Sequence, residues 1–273
     1  MQALNDWSLA ARRGIVGVLT DIDDTLTTDG AITADALAAL VALQAAGLPV
    51  IAVTGRPVGW SQPFALDWPL DAIVAENGAV ALFNNKKGLQ PNQDGRKLLS
   101  KLYQQDVPTR LANFARMQRV AARLTAEVPG AVLAKDSWGR ETDIAIDHSE
   151  FAHLPPERIA QALQIMRSEG MNASVSSIHI NGWFGSHNKL EGARWIVNEL
   201  LGRELDVELD RWVYVGDSTN DQLMFEAFPH SVGVANVRRF EAELQHPPRY
   251  ITESERGAGF AEVAATLLAA RAG

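Results

Sequence analysis

No cysteine occurs among the 273 residues. Disulfides, thiolate nucleophiles and Cys-ligated zinc are thereby excluded. No apolar stretch reaches the ~20 residues that a bilayer-spanning helix needs. Dense runs of Lys and Arg are missing too. The 25 basic residues face 33 acidic ones, for a formal net charge of −8. Nothing here would draw the phosphate backbone of a nucleic acid, and an anionic ligand would depend on a few local cations or a metal ion. Low-complexity tracts and fixed-period repeats are also absent. What is present is ordinary for a soluble globular protein: 47% hydrophobic and 21% charged residues, enough for one large domain or two medium ones. Arg12-Arg13 before an apolar run imitates a twin-arginine export signal. Asp21, Asp23 and Asp24 cut that run short, and no small-residue cleavage site follows, so a cytoplasmic protein is expected.

The chain alternates short β-branched runs with helical patterns. Gly14 to Thr20 is a buried strand closed by Asp21. Thr33 offers an N-cap to a helix with Ala36, Leu37, Leu40, Val41 and Leu43 on one face, and Gly47 suits its C′ position. Pro49 to Val53 and Ala72 to Ala75 are further strands. The pattern returns with a helix at Leu190 to Leu201, a strand at Trp212 to Val215, a short helix at Asp221 to Phe228, a strand at Ser231 to Ala235 and a helix at Phe260 to Ala270. Such an order implies a parallel sheet with right-handed crossovers. The middle of the chain differs. Asn84 to Gly95 is polar and turn-rich, and Thr109 to Glu127 is a long amphipathic helix. Ala131 to Lys135 and Thr142 to Asp147 look like paired strands, Pro155 to Glu169 is a helix, and Ala173 to Ile180 alternates as one strand. The expected organisation is an α/β core from residues 1–83 and 185–273, with an α+β second domain inserted over residues 84–184.

Four short segments carry candidate chemistry. Asp21-Ile22-Asp23-Asp24-Thr25 follows a buried strand, where ligands of open α/β sheets bind. Crowded carboxylates there need a cation or a shared proton, and Mg²⁺ suits hard oxygen ligands; an acidic turn or helix cap explains the same residues as well. Gly216-Asp217-Ser218-Thr219-Asn220-Asp221 ends a second buried strand, and helix capping accounts for one of its acids but poorly for both. Thr54-Gly55-Arg56 offers a hydroxyl and a free N–H as a small anion cradle. Lys189 opens a helix, where the helix dipole disfavours a cation unless an anion binds nearby.

Together, in this order, the four segments resemble the motifs of haloacid dehalogenase superfamily phosphatases, and the insertion is similar to the C2-type cap of the Cof-like, sucrose-phosphate and mannosyl-3-phosphoglycerate phosphatases. The resemblance implies a Rossmann-like parallel-sheet core, a Mg²⁺ cofactor and hydrolysis of a small soluble phosphate ester, with sugar phosphates leading. Asp21 would be the nucleophile and Asp23 the general acid and base. Thr54, Gly55, Lys189 and Asn220 would hold the phosphoryl group, and Asp21, Asp23, Asp217 and Asp221 the metal. Asp24 stands where the family often has Gly. In the insertion, Arg140, Glu141, His179 and Trp183 are candidate substrate contacts, with a surface salt bridge and a core aromatic as the plainer readings. A phosphomutase, a dehalogenase and a non-enzymatic metabolite sensor are the rival expectations.

Overall fold

The computed structural model describes residues 1–84 and 99–272. The chain begins with β1 (Gln2–Ala3), α1 (Leu9–Gly14) and β2 (Gly17–Thr20). A small ribbon, β3 (Thr27–Thr28) and β4 (Ala31–Ile32), leads into α2 (Ala34–Ala45) and β5 (Val50–Val53). Next come α3 (Val58–Asp67), β6 (Ala72–Ala75), β7 (Val80–Asn84) and β8 (Leu99–Tyr103). The middle of the chain supplies α4 (Val107–Glu127), β9 (Val132–Leu133), β10 (Asp143–Asp147), α5 (Pro156–Ser168), β11 (Asn172–Val175) and β12 (His179–Trp183). The last third contains α6 (Lys189–Leu201), β13 (Trp212–Gly216), α7 (Gln222–Ala227), β14 (His230–Gly233), β15 (Tyr250–Ile251) and α8 (Arg256–Arg271).

Nine strands form one sheet in the order β1-β15-β14-β13-β2-β5-β6-β7-β8. All neighbours are parallel except β6–β7 and β7–β8. The central strands alternate between two buried layers, as strands covered on both faces must. Val18, Val50 and Ala52 join the apolar layer under α2, α3 and α8. Leu19, Ile51 and Val53 join the layer under α6 and α7. Helix ends are chemically marked: Asn188 caps α6 by accepting the Glu191 N–H (2.9 Å), and Gly202 closes that helix in the left-handed region (φ 61°).

A second sheet, in the order β11-β12-β10-β9, is wholly antiparallel. Ile144, Ile146 and Ile180 pack on Met117, Val120 and Leu124 of α4 and on Ala162, Ile165 and Met166 of α5. Period-two alternation turns Asp143, Asp147, His179 and Asn181 to the opposite face. The single strand expected over Ala173 to Ile180 is instead a hairpin. Ser176 Oγ accepts the N–H groups of Ile178 and His179, and this local side-chain bond turns the chain between β11 and β12. Leu99–Tyr103, placed by the sequence in the insertion, pairs with β7 on the large sheet. The polar stretch expected after Asn84 lies almost entirely outside the described residues.

The core and the insertion meet closely at Gly59 and at Glu76. A Cβ built on Gly59 in α3 would fall 2.8 Å from the Cα of Gly139, so only two glycines allow this approach. Glu76, fully buried at the β6–β7 turn, accepts N–H bonds from Val58 of the core and from Glu141 and Thr142 of the insertion, plus the Thr142 hydroxyl. Among the described residues no helix is long and apolar enough to cross a membrane.

Candidate active site

The loops that follow β2, β5 and β13, with the start of α6, meet at one end of the large sheet, the carboxyl edge where such sheets bind ligands. Asp21 is the first residue beyond β2, and its N–H donates to Val215 O of the neighbouring strand (2.8 Å). Asp217 is the first residue beyond β13. Lys189 opens α6 and is 3% exposed. Its ammonium donates to Asp21 Oδ1 (2.7 Å), Asp221 Oδ1 (2.7 Å) and Asn220 Oδ1 (3.3 Å). Oxygens of Asp21, Asp217 and Asp221 lie within 4.8 Å of one another.

The three carboxylates are not equivalent. Asp221 is fully engaged: Oδ2 accepts the N–H groups of Asp217 and Ser218, while Oδ1 accepts from Lys189 and the Tyr214 hydroxyl. This capping arrangement requires Gly216, because a Cβ there would lie 2.5 Å from Asp221 Oδ2. Asp217 Oδ2 accepts from Asn236 Nδ2 (3.1 Å), but Asp217 Oδ1 is buried with no hydrogen-bond partner among the described residues. Burial pushes the Asp21 carboxyl up to about 7, against the attraction of Lys189 and with the repulsion of Asp221 and Asp23. Burial and the neighbouring Asp21 push Asp217 well above the usual carboxylate range. Protonated carboxyls fit poorly with so many donors, whereas an orphaned oxygen among hard anionic ligands fits a divalent cation. The residues present therefore suit Mg²⁺, with Asp21 and Asp217 as the free carboxylate donors.

The other expected residues fall into two groups. Thr54, Gly55 and Asn220 line a chamber of about 10 Å³ over Asp21, together with Asp23. The insertion closes this chamber with Ser176, Ile178, His179 and Asn181. Arg140, Glu141 and Trp183 stand apart. The Arg140 guanidinium binds Asp143 (2.8 Å), Asp136 and the Gly55 carbonyl (3.0 Å), so it is committed inside the protein. Glu141 accepts from Lys101 and Tyr103 on β8. Trp183 is buried and donates its Nε1–H to His187 O (2.8 Å).

Several further residues at the site were not among the expected contacts. Arg56, 6% exposed in its side chain, joins both sheets. Its Nε donates to both Asp23 oxygens (2.9 and 3.0 Å), and its other nitrogens reach Asp136 (3.1 Å) and Glu150 (2.9 Å). Glu150 in turn contacts His179 Nε2 (3.0 Å). Desolvation alone would raise Glu150, but the bonds from His179 and Arg56 bring it down to about 2. Beside the chamber a larger cavity, about 610 Å³, is lined by Asp23, Arg56 and Asp217, by Arg239 and Arg256, and by His148, Ser149 and Phe151 of the insertion. Asp24, held at φ 55°, pairs there with Arg256 (3.1 Å). A basic residue directly after Thr54-Gly55 was the one available sequence cue to this group.

The chain is similar to several known proteins. The chain is 24% identical over 248 residues to a phosphoglycolate phosphatase of Methanothermobacter thermautotrophicus, covering 90% of this chain and 95% of the relative. A Thermoplasma acidophilum crystal structure shares the fold, with a TM-score of 0.67 and 15% identity over 93% of this chain and 98% of that one. So does a sucrose-phosphatase from Synechocystis solved with sucrose and phosphate, with a TM-score of 0.62 and 16% identity over 93% and 98% of the two chains. Residues 18–117, which run from β2 and the Asp21 loop into α4, match the family model described as haloacid dehalogenase-like hydrolase. Over those residues the chain is similar to the haloacid dehalogenase-like hydrolases.

Proposed function

We propose that this hydrolase is a Mg²⁺-dependent phosphatase that removes the phosphoryl group from a small phosphate ester through a covalent intermediate on Asp21. The observation that supports this best is the convergence of Asp21, Lys189, Asp217 and Asp221, which come from three separate strand and helix ends. Asp21 attacks phosphorus, its oxygen forming a new P–O bond while the ester P–O bond breaks. Asp23 gives its proton to the departing alkoxide. A water then attacks the aspartyl-phosphate, Asp23 takes its proton, and cleavage of the bond to Asp21 frees inorganic phosphate. Lys189, Asn220, Thr54 and the Gly55 N–H hold the phosphoryl oxygens as charge shifts among them. Mg²⁺ held by Asp21 and Asp217, and by the Asp23 carbonyl as in the resembling family, would supply charge neutralisation between nucleophile and substrate. Asp221 orients Lys189 and the Asp217 loop.

The segment carrying the four-stranded sheet acts as a cap in this reading. It excludes water from the chamber and shapes the 610 Å³ cavity that receives the leaving group beside Asp23. The relative's name puts phosphoglycolate beside sugar phosphates among the esters to be assayed. Release of inorganic phosphate from p-nitrophenyl phosphate and a metabolite panel, with and without Mg²⁺, is the test. Asp21→Asn should abolish turnover with the melting temperature retained. Substantial turnover in that variant would remove Asp21 as nucleophile. A wild-type protein that releases no phosphate with Mg²⁺ from any ester would leave the sensor reading.

A further inference from the structure

A second cavity, about 280 Å³, touches Lys189 and Asn220 but neither Asp21 nor Asp23. A leaving group must sit within reach of Asp23, so this cavity is not its seat. Its wall joins the smaller sheet to the chain entering α6: Asn172, Ser174 and Trp183 come from β11 and β12, and His187 and Asn188 from just before α6. At about 280 Å³ it lies near the lower end of small-ligand pockets, ~300 Å³.

The wall mixes polar side chains with the apolar Ala173, Trp183 and Leu223, and holds no carboxylate. Its one cation, Lys189, is committed to Asp21, Asp221 and Asn220. His187 is 3% exposed, and both of its ring nitrogens lack a hydrogen-bond partner among the described residues. Ser174 Oγ is likewise buried without a partner. Buried polar atoms in folded proteins are almost always satisfied, so three orphans around one cavity call for an occupant with hydroxyl-like groups. Burial holds the His187 pKa down to about 4. The neutral imidazole thus offers one donor and one acceptor. Its ring stacks on Trp183 with centroids 5.8 Å apart and planes 28° apart. Asn172 and Asn188 each spend one amide atom internally, on Gly185 O and the Glu191 N–H.

We propose that this cavity is a binding site for a small uncharged polyhydroxylated molecule, a free sugar or polyol, held by His187, Ser174 and the flanking amides. Such a ligand bridges β11 of the cap to the start of α6 and so ties cap position to the concentration of an unphosphorylated compound. Calorimetric titration of the whole protein with D-glucose, D-mannose, myo-inositol and glycerol tests the site directly, without reference to turnover. At least one probe is expected to bind. His187→Phe, which keeps the ring stack but removes both nitrogens, and Ser174→Leu, which fills the cavity from an edge strand, should each weaken it tenfold or more. Ser149→Leu, in the larger cavity, should leave it unchanged. The proposal is overturned if no probe binds, if binding survives in whichever of the two cavity variants folds, or if Ser149→Leu alone abolishes it.

Discussion

The cluster around Asp21 and Lys189 and the cluster around Glu76, Arg140 and Asp143 use the same kinds of side chain at similar depth. Both contain more carboxylates than cations. Burial lifts Asp21 and Asp143 alike, each to about 7, against the pull of Lys189 in one case and Arg140 in the other. They differ in how the excess negative charge is met. Around Glu76, the backbone N–H groups of Val58, Glu141 and Thr142 converge on the carboxylate. Asp143 accepts from Arg140, Asn181 and Asn77. Around Asp21, one oxygen of Asp217 is left without a donor. A displaced pKa therefore marks both places, and the unpaired oxygen separates a site kept ready for a cation from an interface that is already satisfied.

That contrast is broken most sharply by removing the cation or its ligand. EDTA should abolish phosphate release, and Asp217→Asn should lower it by about 10²–10³-fold even at high Mg²⁺. Without metal, the same substitution should leave the melting temperature unchanged or raised, because it relieves repulsion with Asp21 and Asp221. Turnover that is unchanged while the protein loses stability would invert the comparison. Glu76→Gln should do the opposite. An amide nitrogen would face N–H donors, at a cost of about 1–3 kcal/mol in a urea titration, with turnover altered only a few-fold. Arg56→Lys tests the link between the clusters. Losing the paired nitrogens on Asp23 and the reach to Glu150 should reduce kcat/KM by about tenfold, ~1.4 kcal/mol.

The smallest effect is on stability against pH. His187 is held near 4 in the folded protein against an ordinary 6.5. Between those values the unfolded chain binds the extra proton, so stability is fully present above about 6.5 and declines as pH falls toward 4. Melting curves across that window should lose part of their slope in His187→Phe. An unchanged slope would mean that His187 does not stay neutral in the fold.

The carboxylate-bearing end of the large sheet was legible because strand, turn and carboxylate are adjacent in sequence. Asp21 and Asp217 each directly follow a buried β-branched run, and a parallel sheet brings such ends together without further information. The approach of the two sheets was not legible. Arg140, expected as a substrate contact or a surface salt bridge, instead turns inward onto Asp143 and Gly55, a partnership set by tertiary packing. Trp183 follows its plainer reading as a core aromatic, buried with its Nε1–H spent on His187 O. Asn236, Glu150, Arg239 and Arg256 carried no signal, since nothing near them repeats a pattern and only folding brings them to the cavity. The hairpin at Ser176 was missed because alternation continues through it, and one hydroxyl decides the turn.

The meeting of Gly59 and Gly139 has a mechanical corollary. Bare backbone against bare backbone works as a bearing surface, letting the cap seat fully while Arg56 and Glu76 grip it on either side. A single methyl group at either glycine would act as a shim and prop the chamber ajar over Asp21. Water would then reach Asp21, the proposed nucleophile, although every charged residue of the site remained in place.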